Sequence, residues 1–202
     1  YRSRQKCIHC GKERLSEDLD ENCKVINDGR CEIWIRKIRL AIEWKIIMKI
    51  GIFGGTFNPP HKGHARMVEK MTEELELDKV LIIPNKIPTH KRCDDLADNK
   101  DRIAMCKMAF RNPKFEISTM EMDRESDSYT IYTVKDLRKK YPNDDLYLII
   151  GSDMFYIFHK WYKHKELLEE CTICVASRNT DDNIQSLRQY AFENLGVYIN
   201  GL

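Results

Sequence analysis

The chain has 202 residues, enough for one substantial core with an appendage and too few for two full-sized domains. Charged residues make up 33% and hydrophobic ones 42%, with 9 glycines and 6 prolines, which excludes collagen-like, low-complexity and wholly disordered chains. A formal net charge of +2 gives no field that would mark nucleic acid or an anionic membrane as the main partner, and no apolar run approaches the roughly 18 to 20 residues of a membrane span.

The modest basicity belongs to residues 1–47, which hold 11 Lys and Arg against 8 Asp and Glu; the remainder holds 23 against 24. Four of the eight cysteines, Cys7, Cys10, Cys23 and Cys31, lie in this segment with the spacing C-x2-C-x12-C-x7-C. The first pair, in CIHCGK, has the spacing of a zinc knuckle, but the second pair is too widely spaced for another, so these four are only weak zinc candidates. The reading preferred for 1–47 is a poorly ordered appendage, with the main domain at 48–202. No secretory signal opens the chain, so reduced thiols in a cytoplasm are expected.

From Lys49 onward, β-rich runs alternate with helical patterns. The first run is Lys49–Phe53, followed by Val80–Pro84, Phe115–Ser118, Leu146–Ile150, Thr172–Ala176 and a last short one at Val197–Ile199. Several are almost continuously apolar, as strands buried on both faces of a parallel sheet are. Between them Ile103, Cys106 and Phe110 recur at helical spacing, as do Ile131, Val134 and Leu137, and then Ile184, Leu187 and Tyr190 or Ala191. Asp101 and Arg102 are expected to begin and solvate a helix. Cys171 and Cys174 also spell C-x-x-C, but strand residues i and i+3 face opposite sides, so buried apolar thiols are expected. This βαβ punctuation predicts an α/β fold, a doubly wound and mainly parallel sheet with helices on both faces.

Ligands of such sheets bind outside the carboxyl ends of the strands, so the residues after each strand should carry chemistry. After the first strand, Gly54-Gly55 permits a tight turn and close approach of backbone N–H groups to a phosphate, with a helix starting near Lys62 or Gly63. The spacing matches neither G-x-G-x-x-G nor G-x-x-x-x-G-K-[ST]. His61 and His64 stand three residues apart at that helix start and can both project toward an anion. They also read as a pair of cap residues, or as half a metal site. The metal reading suffers because the nearest further ligand, His90, sits beside Lys91 and Arg92.

Gly51–His64, GIFGGTFNPPHKGH, resembles the signature of the nucleotidyltransferase superfamily, whose hallmark is H-x-G-H. Ile87–Lys91 (IPTHK), Glu121–Thr133 (EMDRESDSYTIYT), Gly151–Trp161 (GSDMFYIFHKW) with Glu166-Leu167-Leu168, and Val175–Arg178 (VASR) narrow the likeness to the bacterial nicotinate-nucleotide adenylyltransferases. It runs colinearly from Met48, which looks like that family's usual start, to about Arg178.

The resemblance implies a Rossmann-like domain that transfers AMP from ATP to nicotinate mononucleotide, giving deamido-NAD and pyrophosphate, with Mg²⁺ accompanying ATP and no covalent intermediate. It implies that His61, His64 and Lys91 serve catalysis at the phosphates, and that Gly54, Gly55, Thr56, Phe57, Gly63, Gly151, Asp153 and Arg178 help hold ATP. Asp153 would also accept ribose hydroxyls, a role beside its alternative as a helix N-cap. Trp161 would stack on the pyridine ring while main chain near Thr130 and Tyr162 receives the carboxylate; by spacing alone, Trp161 reads as core packing against Phe155 and Phe158. Lys91 otherwise reads as a solvated loop lysine.

Family members carry a later segment of the type I-S-S-T-x-I-R that grips the ATP phosphates, and no counterpart follows Val197–Ile199, so weakened ATP binding is expected. Rival readings are a pantetheine-phosphate adenylyltransferase or a cytidylyltransferase, against which Trp161 and the Ser128-Tyr129-Thr130 segment argue, and a non-catalytic nucleotide-binding fragment. Expected partners are small molecules, with no nucleic acid and no membrane; a homo-oligomer stays open.

Overall fold

The computed structural model describes residues 4–6, 13–15, 47–86, 95–125, 128–177 and 184–198. It comprises two units, Tyr1–Ile46 and Ile47–Leu202. In the first, strands β1 (Arg4–Lys6) and β2 (Glu13–Leu15) pair antiparallel, Arg4 opposite Leu15. The zinc candidates Cys7, Cys10, Cys23 and Cys31 lie outside the described residues.

The second unit alternates strands and helices along the chain. Strand β3 (Lys49–Gly55) leads to helix α1 (Lys62–Glu74), β4 (Lys79–Pro84) to α2 (Asn99–Ala109), and β5 (Phe115–Ile117) to α3 (Thr130–Lys140). Strand β6 (Asp145–Gly151) runs into the short helix α4 (Ser152–Phe155), a 3₁₀ turn (Phe158–Lys160) and α5 (His164–Glu170). Strand β7 (Thr172–Ala176) precedes α6 (Ile184–Tyr190) and a π-helical turn (Ala191–Leu195). The five strands β3–β7 form one wholly parallel sheet in the order β5-β4-β3-β6-β7. The chain builds outward from β3 to β4 and β5, then returns to the other side of β3 for β6 and β7. That reversal puts the crevice at the carboxyl ends of β3 and β6.

The strands alternate between two cores, as a period of two requires. Ile50, Ile52, Leu81, Ile83, Leu146, Leu148 and Ile150 join Ile131, Val134 and Leu137 of α3 on one face. Phe53, Val80, Ile82 and Ile149 join Val68 of α1 and Cys106 of α2 on the other. Cys171, the C-cap of α5 just before β7, belongs to the first core and Cys174 of β7 to the second; both are buried thiols, as expected.

Four expectations are corrected. Gly54 and Gly55 do not turn the chain; they are the last two residues of β3, still paired with Ile83 and Pro84, and the positive φ of the turn falls on Phe57, at 47°, just before a cis Asn58–Pro59 bond. Val197 and Tyr198 belong to no strand: the π-helical turn ends at Gly196, whose φ of 67° reverses the chain, and the Val197 N–H bonds back to the Ala191 carbonyl. Ile184 opens α6 exposed, leaving Leu187 and Ala191 to bury that helix. Arg102 is not solvated but fully buried, because its guanidinium meets carbonyl and amide oxygens around it. Among the described residues no helix is long and apolar enough to cross a membrane.

Candidate active site

The carboxyl ends of β3 and β6 open into a cleft of about 460 Å³. The floor comes from β3. A Cβ on Gly54 would meet only the Ile83 carbonyl oxygen, at 3.9 Å, so the main chain there is open to an approaching group. At Gly55 a Cβ would lie 3.0 Å from the Phe57 ring, which folds back over the strand end and is itself buried. Thr56 and Phe57 line the cleft as well.

His61 is the N-cap of α1, with extended backbone (φ −132°, ψ 170°). Its Nδ1 accepts the His64 N–H at 3.4 Å, and His64 Nδ1 accepts the His61 N–H at 3.2 Å, so each imidazole caps the other's main chain. The rings stack, centroids 3.7 Å apart and planes 25° apart. Phe57 stands edge-on to His64 at 5.3 Å and holds the pair from behind. Since both Nδ1 atoms act as acceptors, the proton of each neutral ring sits on Nε2. Both histidines line the cleft at the N-terminus of a 13-residue helix. The geometry also explains Gly63: a Cβ there would come within 3.0 Å of the His61 ring.

From β6, Gly151 and Asp153 face the same space. Gly151 occupies the N-cap of α4, so Asp153 lies in the first turn and is not the cap. Trp161 follows the 3₁₀ turn; it lines the cleft, and its ring leans on the buried Phe158 at 5.2 Å and 43°. Thr130, the first residue of α3, completes this end, and the N-cap residue Tyr129 makes no side-chain capping bond. Tyr162 is absent from the cleft lining; its ring packs on Tyr129 at 4.6 Å. Gly63 is likewise absent from the cleft lining. Lys91 and Arg178, with the residues around them, lie outside the described residues. Among the described residues no three His, Cys, Asp or Glu side chains gather as metal ligands.

Glu121, Ser128, Thr133 and Asn85 also line the cleft and carry no role in the sequence reading. Glu121 is buried, and its Oε1 accepts the Thr133 hydroxyl at 2.6 Å. Burial pushes its carboxyl above the usual range, opposed by the Thr133 hydrogen bond and the nearby Arg124. Asn85 donates from Nδ2 to the Thr56 hydroxyl at 3.4 Å, joining the ends of β3 and β4. A carboxyl-bearing motif after β5 was visible in the sequence; what was missing was the fold of the chain that turns it inward.

A family model for cytidylyltransferase-like proteins matches residues 52–197. Over 150 residues the chain is 43% identical to the probable nicotinate-nucleotide adenylyltransferase of Dictyoglomus thermophilum, a match covering 73% of this chain and 76% of that one. Over 121 residues it is 49% identical to the nicotinate-nucleotide adenylyltransferase of Bacillus subtilis; this covers 59% of the chain and 64% of that relative, just under two thirds of its length. Among solved structures, a putative nicotinate-nucleotide adenylyltransferase from Vibrio parahaemolyticus superposes with a TM-score of 0.53 at 25% identity, covering 73% of this chain and 82% of that one. Nicotinic acid mononucleotide adenylyltransferase of Plasmodium falciparum, solved with NaAD, shares the fold with a TM-score of 0.60 at 18% identity over 71% of each chain.

Proposed function

The chain belongs to the cytidylyltransferase-like family and, within it, to the nicotinate-nucleotide adenylyltransferases, and we propose that it transfers the AMP moiety of ATP to nicotinate mononucleotide, giving deamido-NAD and pyrophosphate. The observation that carries this reading is the pairing, within one cleft, of two mutually capped imidazoles at a helix N-terminus with an aromatic face at Trp161.

In the proposed reaction a phosphate oxygen of nicotinate mononucleotide attacks the α-phosphorus of ATP in line. One P–O bond forms, the α–β bridging bond breaks, and pyrophosphate departs with the electron pair. The residues need supply no nucleophile; they orient the two phosphates and stabilise charge that spreads over the α-phosphoryl oxygens. His61 and His64 suit this because their Nδ1 atoms are fixed by main-chain N–H groups, which pre-orients the Nε2–H donors. The helix dipole of α1 favours the same anion. The open main chain at Gly54 lets phosphate approach, and Asp153 accepts ribose hydroxyls. Trp161 offers its face to the pyridine ring, and the N–H groups at the start of α3, beside Thr130, receive the carboxylate. Lys91 and Arg178 would add cations from the loops after β4 and β7. Magnesium arrives as the ATP complex, part of the substrate. A cytoplasmic protein acting on these small molecules follows from the same reading.

The test is pyrophosphate release by the purified chain from ATP and nicotinate mononucleotide. Nicotinamide mononucleotide, phosphopantetheine with ATP, and CTP with a phosphorylated alcohol serve as parallel substrates. Turnover highest with ATP and nicotinate mononucleotide is expected; faster turnover with any other pair, or none with any, would reject the assignment.

A further inference from the structure

The motif Glu121–Thr133 contributes two charged side chains for which the proposed chemistry has no use, and both are turned inward. Arg124, whose side chain is 13% exposed, donates from Nη1 to the Thr133 hydroxyl oxygen at 3.1 Å and from Nη2 to Asp136 Oδ2 at 2.8 Å. The Thr133 hydroxyl in turn donates a hydrogen bond to Glu121 Oε1 at 2.6 Å. Thr133 and Asp136 sit in the first two turns of α3, while Glu121 and Arg124 belong to the segment after β5. The start of α3, with Ser128, Tyr129 and Thr130, therefore lies between two cross-tied stretches of chain. Further ties come from Lys86, two residues past the end of β4: its Nζ donates to the Arg124 carbonyl at 2.7 Å, and its N–H donates to Ser128 Oγ at 3.3 Å.

We infer that Arg124, acting through Thr133 and Glu121, is a positioning residue that fixes the start of α3 where the acidic end of the nucleotide substrate is received. The inference rests on the functional reading above. Arg124 does not line the cleft, whereas Ser128, Thr130, Thr133 and Glu121 do, so its effect on substrate passes through them. A main-chain cradle recognises a carboxylate only if its N–H groups are held in place beforehand, since ordering them on binding would subtract from affinity. Thr133 is the pivot, since its single hydroxyl accepts from the guanidinium and donates to the carboxyl at once.

The prediction is a split between kinetic constants. In Arg124→Met, KM for nicotinate mononucleotide should rise about tenfold while kcat and KM for ATP stay within about twofold, and Arg124→Lys should recover part of the loss. Amide hydrogen exchange at residues 128–132 should quicken in Arg124→Met while the amides of Val68–Thr72 in α1 keep their protection. If Arg124→Met does not fold, Asp136→Asn, at the half-exposed outer end of the network, should raise the same KM about threefold. An unchanged KM for nicotinate mononucleotide, or an equal decline of kcat, both KM values and thermal stability, overturns the inference. If the unaltered chain turns over no nicotinate mononucleotide, the functional reading fails, and the exchange comparison decides the positioning role separately: equal protection of residues 128–132 in both proteins rejects it.

Discussion

His61 and His64 cap each other, each Nδ1 accepting the other's main-chain N–H, at 3.4 and 3.2 Å, with the rings stacked 3.7 Å apart. The arrangement makes the pair a reciprocal helix cap, as one of the sequence readings had it, and sets both rings in the lining of the cleft. Nδ1 does the capping, and in the proposed function Nε2 is the atom that meets phosphate.

The two roles can be separated by substitution. Asparagine carries an acceptor at about the reach of Nδ1 and nothing at the reach of Nε2, so His64→Asn should keep the cap and lose the donor. Its thermal stability should match the parent, while kcat falls by on the order of 10² or more. His64→Ala should lose as much kcat and, in addition, about 1 kcal/mol of stability with the cap. Parental kcat in a folded His64→Asn protein would remove Nε2 from the chemistry.

Trp161 divides its surface between the cleft and Phe158. Trp161→Ala should therefore weaken nicotinate mononucleotide by roughly 1–3 kcal/mol and leave ATP much less affected. Trp161→Phe, which retains an aromatic face, should recover most of that binding. Calorimetric titration with each nucleotide decides between the roles: equal losses for both ligands, accompanied by a fall in thermal stability, would mean that Trp161 is only a core residue.

Most of the strands were legible because they are almost unbroken apolar runs of a length that a doubly covered parallel sheet accommodates, and Thr172–Ala176 begins and ends where its sequence says; β5, with Glu116 exposed between Phe115 and Ile117, is the exception. Val197–Ile199 had the same composition, yet at Val197 and Tyr198 the turn at Gly196 outweighs β-propensity. His61 and His64 could be brought to the cleft from residue type and strand-end position, whereas Trp161 came there only through the family resemblance, since spacing alone reads it as core. Arg102 could not, because an arginine in a helical pattern reads as solvated surface until the acceptors brought from distant loops are known. The mutual capping of the histidines was equally hidden, since it depends on the extended backbone at His61 and on a glycine at position 63 that leaves room for the ring.

Arg102 joins two of the loops that border the cleft. It donates to the Thr56 carbonyl at 2.9 Å, to the Lys86 carbonyl at 3.3 Å and to Asn99 Oδ1 at 2.6 Å. Arg102→Met fills a similar volume but leaves these acceptors without the guanidinium. A buried acceptor left unpaired costs about 1–3 kcal/mol, so a total loss near 3 kcal/mol is expected from urea denaturation. A loss below about 1 kcal/mol would show that the loops hold their places without it.

The buried thiols give a prediction with a definite sign. Burial raises Cys106 to about 11, Cys171 to about 12 and Cys174 to about 11, from a usual thiol value of 9.0. At pH 8 a thiol with a pKa near 11 is only about 10⁻³ thiolate, the form that reacts. Iodoacetamide at pH 8 should therefore leave these three cysteines unmodified in the folded protein and label all three once urea unfolds it, as peptide mass mapping would read. The same shifts make stability depend on pH. Below about pH 9 both folded and unfolded chains keep the thiol protons, and the native state has its full stability. Between pH 9 and 11 the unfolded chain loses protons that the folded chain retains, so the unfolded state binds fewer protons and stability falls as pH rises. Urea midpoints should accordingly decline from pH 8.5 to 10.5. Cys174→Ala should flatten part of that decline, after allowance for its own lower starting stability. A slope identical to the parent's would mean that the Cys174 thiol titrates alike in both states, and labelling of Cys174 in the folded chain at pH 8 would show that it is not shielded between the sheet and its covering helices.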